Sequence, residues 1–360
     1  IFIILRSFGL SLIIVGLFML TSLYFAWYYN EDTFAPILLS VSVNFIVGFI
    51  LLLISKSKND LSFGQRESYV IVTATWLMLG VFGSLPFLFS GSIPNFTNAY
   101  FETVSGFTTT GASILTDIEA LPKSILYWRS LIQWLGGIGI LVIVIAILPN
   151  IGYGGIKLFV AEVPGPSSNK LHPKIRTTAF FLLEIYGALT IILMLLLMAG
   201  GMNFFESVCH ALTTMSTGGF SPKNDSLASY SSYIQIVVAI FMLMGGLNFA
   251  IHYYLITGKF KKVFSNQELQ WFVLFVFGVS IFNAFILVFY NSDYSISEFF
   301  RHSFFQIISV VTTTGFVTAD WMTWPQPSWF LLFLMFFVGG MIGSTTGGIK
   351  FTRHFVLLKN

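Results

Sequence analysis

Apolar runs of helix length alternate with short polar or Gly/Pro breaks along most of this chain. They fall near residues 7–29, 35–54, 69–90, 122–149, 177–200, 229–257, 268–290 and 327–349. About 20 apolar residues cross the hydrocarbon core of a bilayer, so the pattern predicts eight transmembrane helices. Between 90 and 122, 200 and 229, and 290 and 327 lie segments too short and too polar to cross. Each reads as a short amphipathic stretch, then a Thr/Gly cluster, then a loop. A stretch such as NAYFETVSGF suits a re-entrant half-helix better than a crossing. The predicted fold class is therefore an all-α membrane protein: eight transmembrane helices plus three re-entrant half-helices, each followed by a Thr/Gly strand, in repeated helix–loop–helix units.

Composition agrees. Of 360 residues, 56% are hydrophobic and 9% charged, whereas soluble domains carry roughly 25% charged residues. The opening segment is too long for a signal-peptide core and ends in YFAWYY, an interfacial aromatic belt rather than a cleavage site. Cys209 is the single cysteine, which excludes a disulfide framework and a CxxC metal site. The basic residues are dispersed among loops, which argues against nucleic-acid binding.

Charge sets the expected orientation. With the N-terminus in the cytoplasm and the three short segments re-entering from outside, fourteen Lys and Arg residues face inward. Only Lys123, Arg129, Lys223 and Arg301 face outward. That is the asymmetry of the positive-inside rule. Ten of the acids, among them Glu31, Glu102, Glu206 and Asp320, fall on the outer side. They either raise local cation concentration at an outer mouth or serve as ordinary solubilising surface.

The Thr/Gly clusters repeat: TTTGA at 108–112, MSTGG at 215–219 and TTTGF at 312–316. Aligned on Gly111, Gly218 and Gly315, they are spaced by 107 and 97 residues. Gly-Gly pairs at 136/137, 245/246 and 339/340 follow 25, 27 and 24 residues later. The expected organisation is two N-terminal transmembrane helices over 1–60, then pore units over 61–155, 156–262 and 263–360. Non-helical backbone at membrane depth belongs in protein or against a wet cavity. The carbonyls and hydroxyls of several Ser/Thr-Thr-Gly strands around one axis form rings of oxygens that replace a cation's hydration shell. Half-helices entering from outside direct their negative carboxyl ends to the same place. A single such cluster would read as small-residue helix packing; three in phase read as filter strands. The Gly-Gly pairs read as packing or kink sites.

Longer stretches carry a resemblance. FETVSGFTTTGAS with PKSILYWRSLIQWLGGIGI is similar to the first pore unit of the TrkH/KtrB superfamily of potassium transporters. ALTTMSTGGFSP resembles its second filter, VVTTTGF its third, and GGMIGSTTGGIKFTR its intramembrane gating loop. The two leading spans resemble the TrkH branch. The resemblance implies ion-lining positions at Thr109, Thr110 and Gly111, at Ser216, Thr217 and Gly218, and at Thr313, Thr314 and Gly315. It implies a gating loop of Gly343, Ser344, Thr345, Thr346, Gly347 and Gly348 beneath the filter. Glycine at the key filter positions goes with potassium selectivity in the family. Potassium would be the transported ligand, with no organic cofactor. The implied setting is the inner (plasma) membrane, with a homodimeric membrane subunit and a cytoplasmic nucleotide-binding RCK-type ring as regulator. Family members use four pore units, whereas three are read here before Asn360. The expectation is that the fourth is missing from this chain, which starts at Ile1 inside a longer one.

Other residues invite readings of their own. His210, His252 and His302 share no ligand spacing and read as satisfied polar contacts. Glu102 either supports the filter from behind or faces a vestibule, and Arg129 is expected to pair with an outer acid. Glu184, inside the fifth span, snorkels or pairs with Arg176. The competing class is an alternating-access secondary transporter built on broken helices. An intramembrane enzyme lacks a paired nucleophile and base.

Overall fold

The computed structural model describes residues 2–55, 65–139, 175–290 and 295–359. All regular structure among them is helical. Two compact units divide the chain, one of residues 1–108 and 112–183, the other of residues 109–111 and 184–360.

In the first unit, α1 (Phe2–Tyr28) and α2 (Phe34–Ile54) pack along each other. Helix α3 (Gln65–Gly83) continues through the short α4 (Leu85–Phe89), and then come α5 (Phe96–Phe107) and α6 (Lys123–Gly137). The mean hydropathy of α1 and α2 is high all round, so their helical form rests on lipid exposure rather than on an amphipathic face. Leu38, Leu39, Ile46, Phe49, Ile50 and Leu53 are exposed along α2, where hydrocarbon replaces water. Polar side chains turn inward instead: Ser40 and Asn44 are buried and return their hydrogen bonds to backbone carbonyls one turn earlier. The N-terminus of α6 is satisfied by Glu31, whose carboxylate accepts from the Lys123 and Ser124 amides. Trp128 on α6 is fully buried and donates its indole N–H to the Gly83 carbonyl at 2.9 Å.

The second unit contains most of α7 (Ile175–Ala199), then α8 (Phe204–Met215), α9 (Ser232–Gly246), α10 (Phe249–Ile256) and α11 (Phe260–Phe264). It continues with α12 (Gln267–Tyr290), α13 (Ile296–Val311), a 3-10 turn at Trp321–Thr323, α14 (Gln326–Met335) and α15 (Phe351–Lys359). A buried polar network ties α12, α13 and α14 together. Asn283 donates to Ser303 Oγ at 2.9 Å and accepts from Ser328 Oγ at 2.5 Å, while Ser303 donates to the Ser280 carbonyl.

Five stretches among the described residues are long and apolar enough to cross a membrane: Ile4–Tyr28, Phe34–Ile54, Tyr69–Phe89, Ala179–Ala199 and Gln267–Tyr290. The remaining expected spans need correction. The run at 229–257 is not one straight helix, because α9 and α10 meet at a bend of 104°. Leu247 there is extended, and Asn248 caps the new helix by accepting from the Ala250 amide. The run at 327–349 leaves the helix at Met335, well before Gly343, the first residue of the expected gating loop. Beyond residue 139, the expected span 122–149 lies outside the described residues, as do Lys157, Lys170 and Lys174.

The three short segments are half-helices of 12, 12 and 16 residues, α5, α8 and α13. Each begins on a side-chain cap. Asn95, Asn203 and Ser295 accept from the amide three residues on, and Ser295 with Glu298 completes a capping box.

Candidate functional site

Each half-helix runs directly into its Thr/Gly cluster, and the backbone there repeats closely. Thr109, Thr217 and Thr313 have φ of 54°, 53° and 55°, and Gly111, Gly219 and Gly315 have 75°, 75° and 83°. A left-handed β-branched residue is a true outlier, because its Cβ crowds the adjoining peptide. Such strain costs on the order of 1–3 kcal/mol per residue and persists only where the surroundings enforce it. Three threonines at the same step of three separate segments cannot be accidents of local sequence. Changing the sign of φ along a short extended segment turns successive carbonyls toward one side, which is what a row of oxygen ligands requires.

This geometry corrects the register of the second strand. The equivalent positions are Thr109, Thr217 and Thr313, so Gly219, not Gly218, corresponds to Gly111 and Gly315. Hydrogen bonds agree. The Gly218 and Gly219 amides both donate to the Thr213 carbonyl, as those of Thr314 and Gly315 do to Ser309. Two adjacent glycines left the sequence alignment ambiguous, and backbone handedness resolves it. Ser216 is the C-cap of α8 and corresponds to Thr108 and Thr312.

The second and third strands meet. A Cβ built on Gly219 would lie 1.6 Å from the Thr314 carbonyl oxygen, so no larger residue fits there. Just beyond, the Leu227 amide donates to the Val317 carbonyl at 3.1 Å, and the Val317 amide donates to Ser226 Oγ at 3.2 Å. Residues 109–111 of the first strand fall in this same compact unit.

Between α14 and α15 the chain forms an irregular loop over 336–350, and it holds the two strands from one end. Thr345 donates to the carbonyls of Met215 and Gly245, each at 3.2 Å, and its hydroxyl lies 3.2 Å from that of Thr217. The Gly347 amide donates to Thr313 Oγ1 at 2.9 Å. Gly343 and Gly348 take φ of 77° and 69°, and the Gly343 carbonyl accepts from Phe249 beyond the helix bend. Ser344 Oγ and Thr346 Oγ1 are 2.7 Å apart. Lys350, mostly buried, donates to the Thr346 carbonyl and hydroxyl. Sequence reasoning did not single out Glu268, yet its Oε1 accepts from the Ile342 amide within the loop and from Thr352 Oγ1 in the first turn of α15. No motif marks it, because the three groups meet only in space.

The first two Gly-Gly pairs sit where the following helices approach these strands, and the third, Gly339/Gly340, lies inside the irregular loop against Gly347 and Gly246. A Cβ on Gly136 would meet the Phe107 carbonyl at 1.8 Å, and one on Gly245 would meet Thr217 Cγ2 at 2.9 Å. The second pair also precedes the 104° bend.

Comparison with known proteins follows this geometry. A family model, TrkH, described as cation transport protein, matches residues 37–360. The chain belongs to the TrkH family. The Trk system potassium uptake protein TrkH of Halomonas elongata is 36% identical over 363 residues, covering 99% of this chain and 74% of that protein. The protein of the same name from Escherichia coli K12 is 40% identical over 309 residues, covering 84% of this chain and 63% of its own length. The crystal structure of the potassium transporter TrkH from Vibrio parahaemolyticus superposes with a TM-score of 0.87 at 31% identity, over 99% of this chain and 74% of that one. The family is one of multi-pass membrane transporters rather than enzymes.

Each tempting side chain now has a place. Arg129 pairs with Glu102, Nε to Oε1 at 2.6 Å, with both side chains buried. His210 contacts the Glu206 carbonyl at 2.9 Å and Ser221 Oγ at 3.1 Å. His252 reaches the Met244 carbonyl and His302 reaches Thr318 Oγ1. Among the described residues, no three His, Cys, Asp or Glu side chains converge as a metal cluster. Glu184 is exposed, and the side chain of Arg176 lies outside the described residues.

Proposed function

We propose that the chain passes potassium ions through a pore lined by three filter strands, 109–111, 216–219 and 313–315, with 343–348 as its gating loop. The observation that carries this reading is the repeated pair of left-handed residues, Thr then Gly, at 109/111, 217/219 and 313/315. Strained backbone of this kind, placed at the end of a half-helix, presents carbonyl and hydroxyl oxygens to a dehydrated cation. The names of the Halomonas and Escherichia relatives make potassium the cation of choice. Glycine at 111, 219 and 315 fits that choice. The direct bonds from Thr345 and Gly347 to the second and third strands support a loop that blocks the pore from below.

Pore units over 61–155, 156–262 and 263–360, behind two leading helices, organise the pathway. The N-terminus faces the cytoplasm of a cell whose inner membrane holds the protein, in keeping with the charge bias. A homodimeric membrane subunit and an RCK-type cytoplasmic ring acting on the loop complete the proposed assembly.

The test is expression of the natural reading frame that contains residues 1–360 in cells stripped of their own potassium uptake. Growth on low potassium, and a current that follows the potassium gradient in reconstituted membranes, are the expected results. The bend between α9 and α10 is a device that alternating-access transporters also use. Saturable uptake without any current would assign the chain to that class.

A further inference from the structure

We infer that Glu102 and Arg129 form a positioning pair for the first filter strand, a role distinct from gluing two helices together. The inference rests on the proposed pore and deepens it. Glu102 sits in the interior of α5 with no exposed surface, where an unpaired charge is costly. Arg129 on α6 compensates it through Nε. The carboxylate has further acceptor sites, and these reach the chain just after the strand. Oε1 accepts from Ser113 Oγ at 3.0 Å, and Oε2 accepts from the Ile114 amide at 3.0 Å. Both donors lie within three residues of Gly111. A guanidinium, a carboxylate and the strand exit thus form one chain of charge-assisted hydrogen bonds. Ser105, one turn after Glu102 in α5, donates to the Ala112 carbonyl and closes the same segment from the other side.

The repeat indicates that this post has a job. Glu102 stands seven residues before the left-handed threonine, and Ser113 stands four after it. In the second unit the corresponding residues are His210 and Ser221, and they too are joined, Nε2 to Oγ at 3.1 Å. The same two positions are linked behind the first and second strands by unlike chemistry. What recurs in these two units is the strut from half-helix to strand exit; in the third the exit position is Val317, whose side chain cannot make it. A simple helix–helix adhesive has no reason to recur at the strand. Only the first strut is ionic, so the first strand is held by the strongest bonds of the two. Its carbonyls then resist collapse onto a smaller ion when a sodium ion enters.

Variants of the natural protein test this. Glu102→Gln keeps size and one acceptor but loses the charge. It should raise the KM for potassium about tenfold, as loss of one charge-assisted bond would, and raise inhibition by sodium, with the amount of protein in the membrane unchanged. Glu102→Asp should recover part of the loss. Ser113→Ala, at an exposed position where folding is not at stake, should shift KM and sodium inhibition the same way by about threefold. As a readout free of transport, potassium should protect the purified wild type against heating more than sodium does, and Glu102→Gln should narrow that difference. Should Glu102→Gln fail to accumulate, Ser113→Ala decides alone. Wild-type KM and sodium inhibition in Ser113→Ala, or in Glu102→Gln where it accumulates, would overturn the inference. A wild type that moves no potassium, and whose heating curve ignores the choice of cation, would instead overturn the proposed pore.

Discussion

Gly219 lies against the carbonyl of Thr314, so closely that a Cβ at the glycine would fall 1.6 Å from the oxygen. The two residues are 95 positions apart in sequence, and they bring the second and third strands into contact.

Gly219→Ala is expected to abolish uptake. The methyl group meets backbone that cannot yield, and the residue's φ of 75° strains any L side chain. Rubidium flux normalised to membrane-inserted protein should fall by at least about a hundredfold, the equivalent of roughly 2.7 kcal/mol. Gly218→Ala should be the milder change, because Gly218 is not the left-handed position. The reverse order of severity would return the register to Gly218.

Gly315→Ser should weaken discrimination between potassium and sodium. The third strand needs φ of 83° at this residue. A serine there distorts the carbonyl row and adds a hydroxyl that suits the smaller ion. Competition of sodium against rubidium uptake should sharpen by about an order of magnitude. Unchanged competition would count against a filter at this strand.

Thr345→Val should loosen the loop from the strands. It removes the hydroxyl that bonds the carbonyls of Met215 and Gly245, of which Gly245 keeps the Thr345 amide as donor and Met215 loses its bond to the loop. A buried carbonyl left unsatisfied costs about 1–3 kcal/mol. Flux in the absence of any regulator should rise several-fold, roughly what 1 kcal/mol permits. A fall in open-state flux with no rise at rest would show that the loop is scaffold and not a gate.

Arg129→Ala should be more destabilising than Glu102→Gln. It strands a fully buried carboxylate, at a cost of about 3–5 kcal/mol, whereas Glu102→Gln leaves a buried guanidinium that can still donate to the amide oxygen. Thermal unfolding in detergent should show the larger loss for the arginine variant. Equal losses would mean that the pair contributes only packing.

Much of this architecture was legible beforehand because bilayer physics writes it into composition. A span needs a long apolar run, a half-helix is too short to be one, and strands of oxygen donors must be small and polar. Hence α1, α2, α7 and α12 fall close to their expected bounds, and the half-helices lead into the clusters as expected. The misses have equally physical causes. The bend at Leu247–Asn248 breaks a run that hydropathy passes through unbroken, and the Gly245/Gly246 pair beside it, readable as a packing or kink site, is its one local sign. Helix α14 ends at Met335, just before the run FFVGGM, which reads as a good span until its carbonyls and amides find partners across the loop. Glu268 and the Glu102–Ser113 strut unite residues from separate segments, and no local pattern announces them.

The amino-acid sequence alone determined that the chain lives in a membrane, that it repeats, and which Thr/Gly residues are candidates for an ion. Hydrophobicity and residue size are local properties, carried by each segment wherever it goes. Only the tertiary structure decided which glycine stands in register, where the helices break, and what braces the strands. Those depend on backbone handedness and on hydrogen bonds closed between distant parts of the chain, and both come into being only when the segments pack.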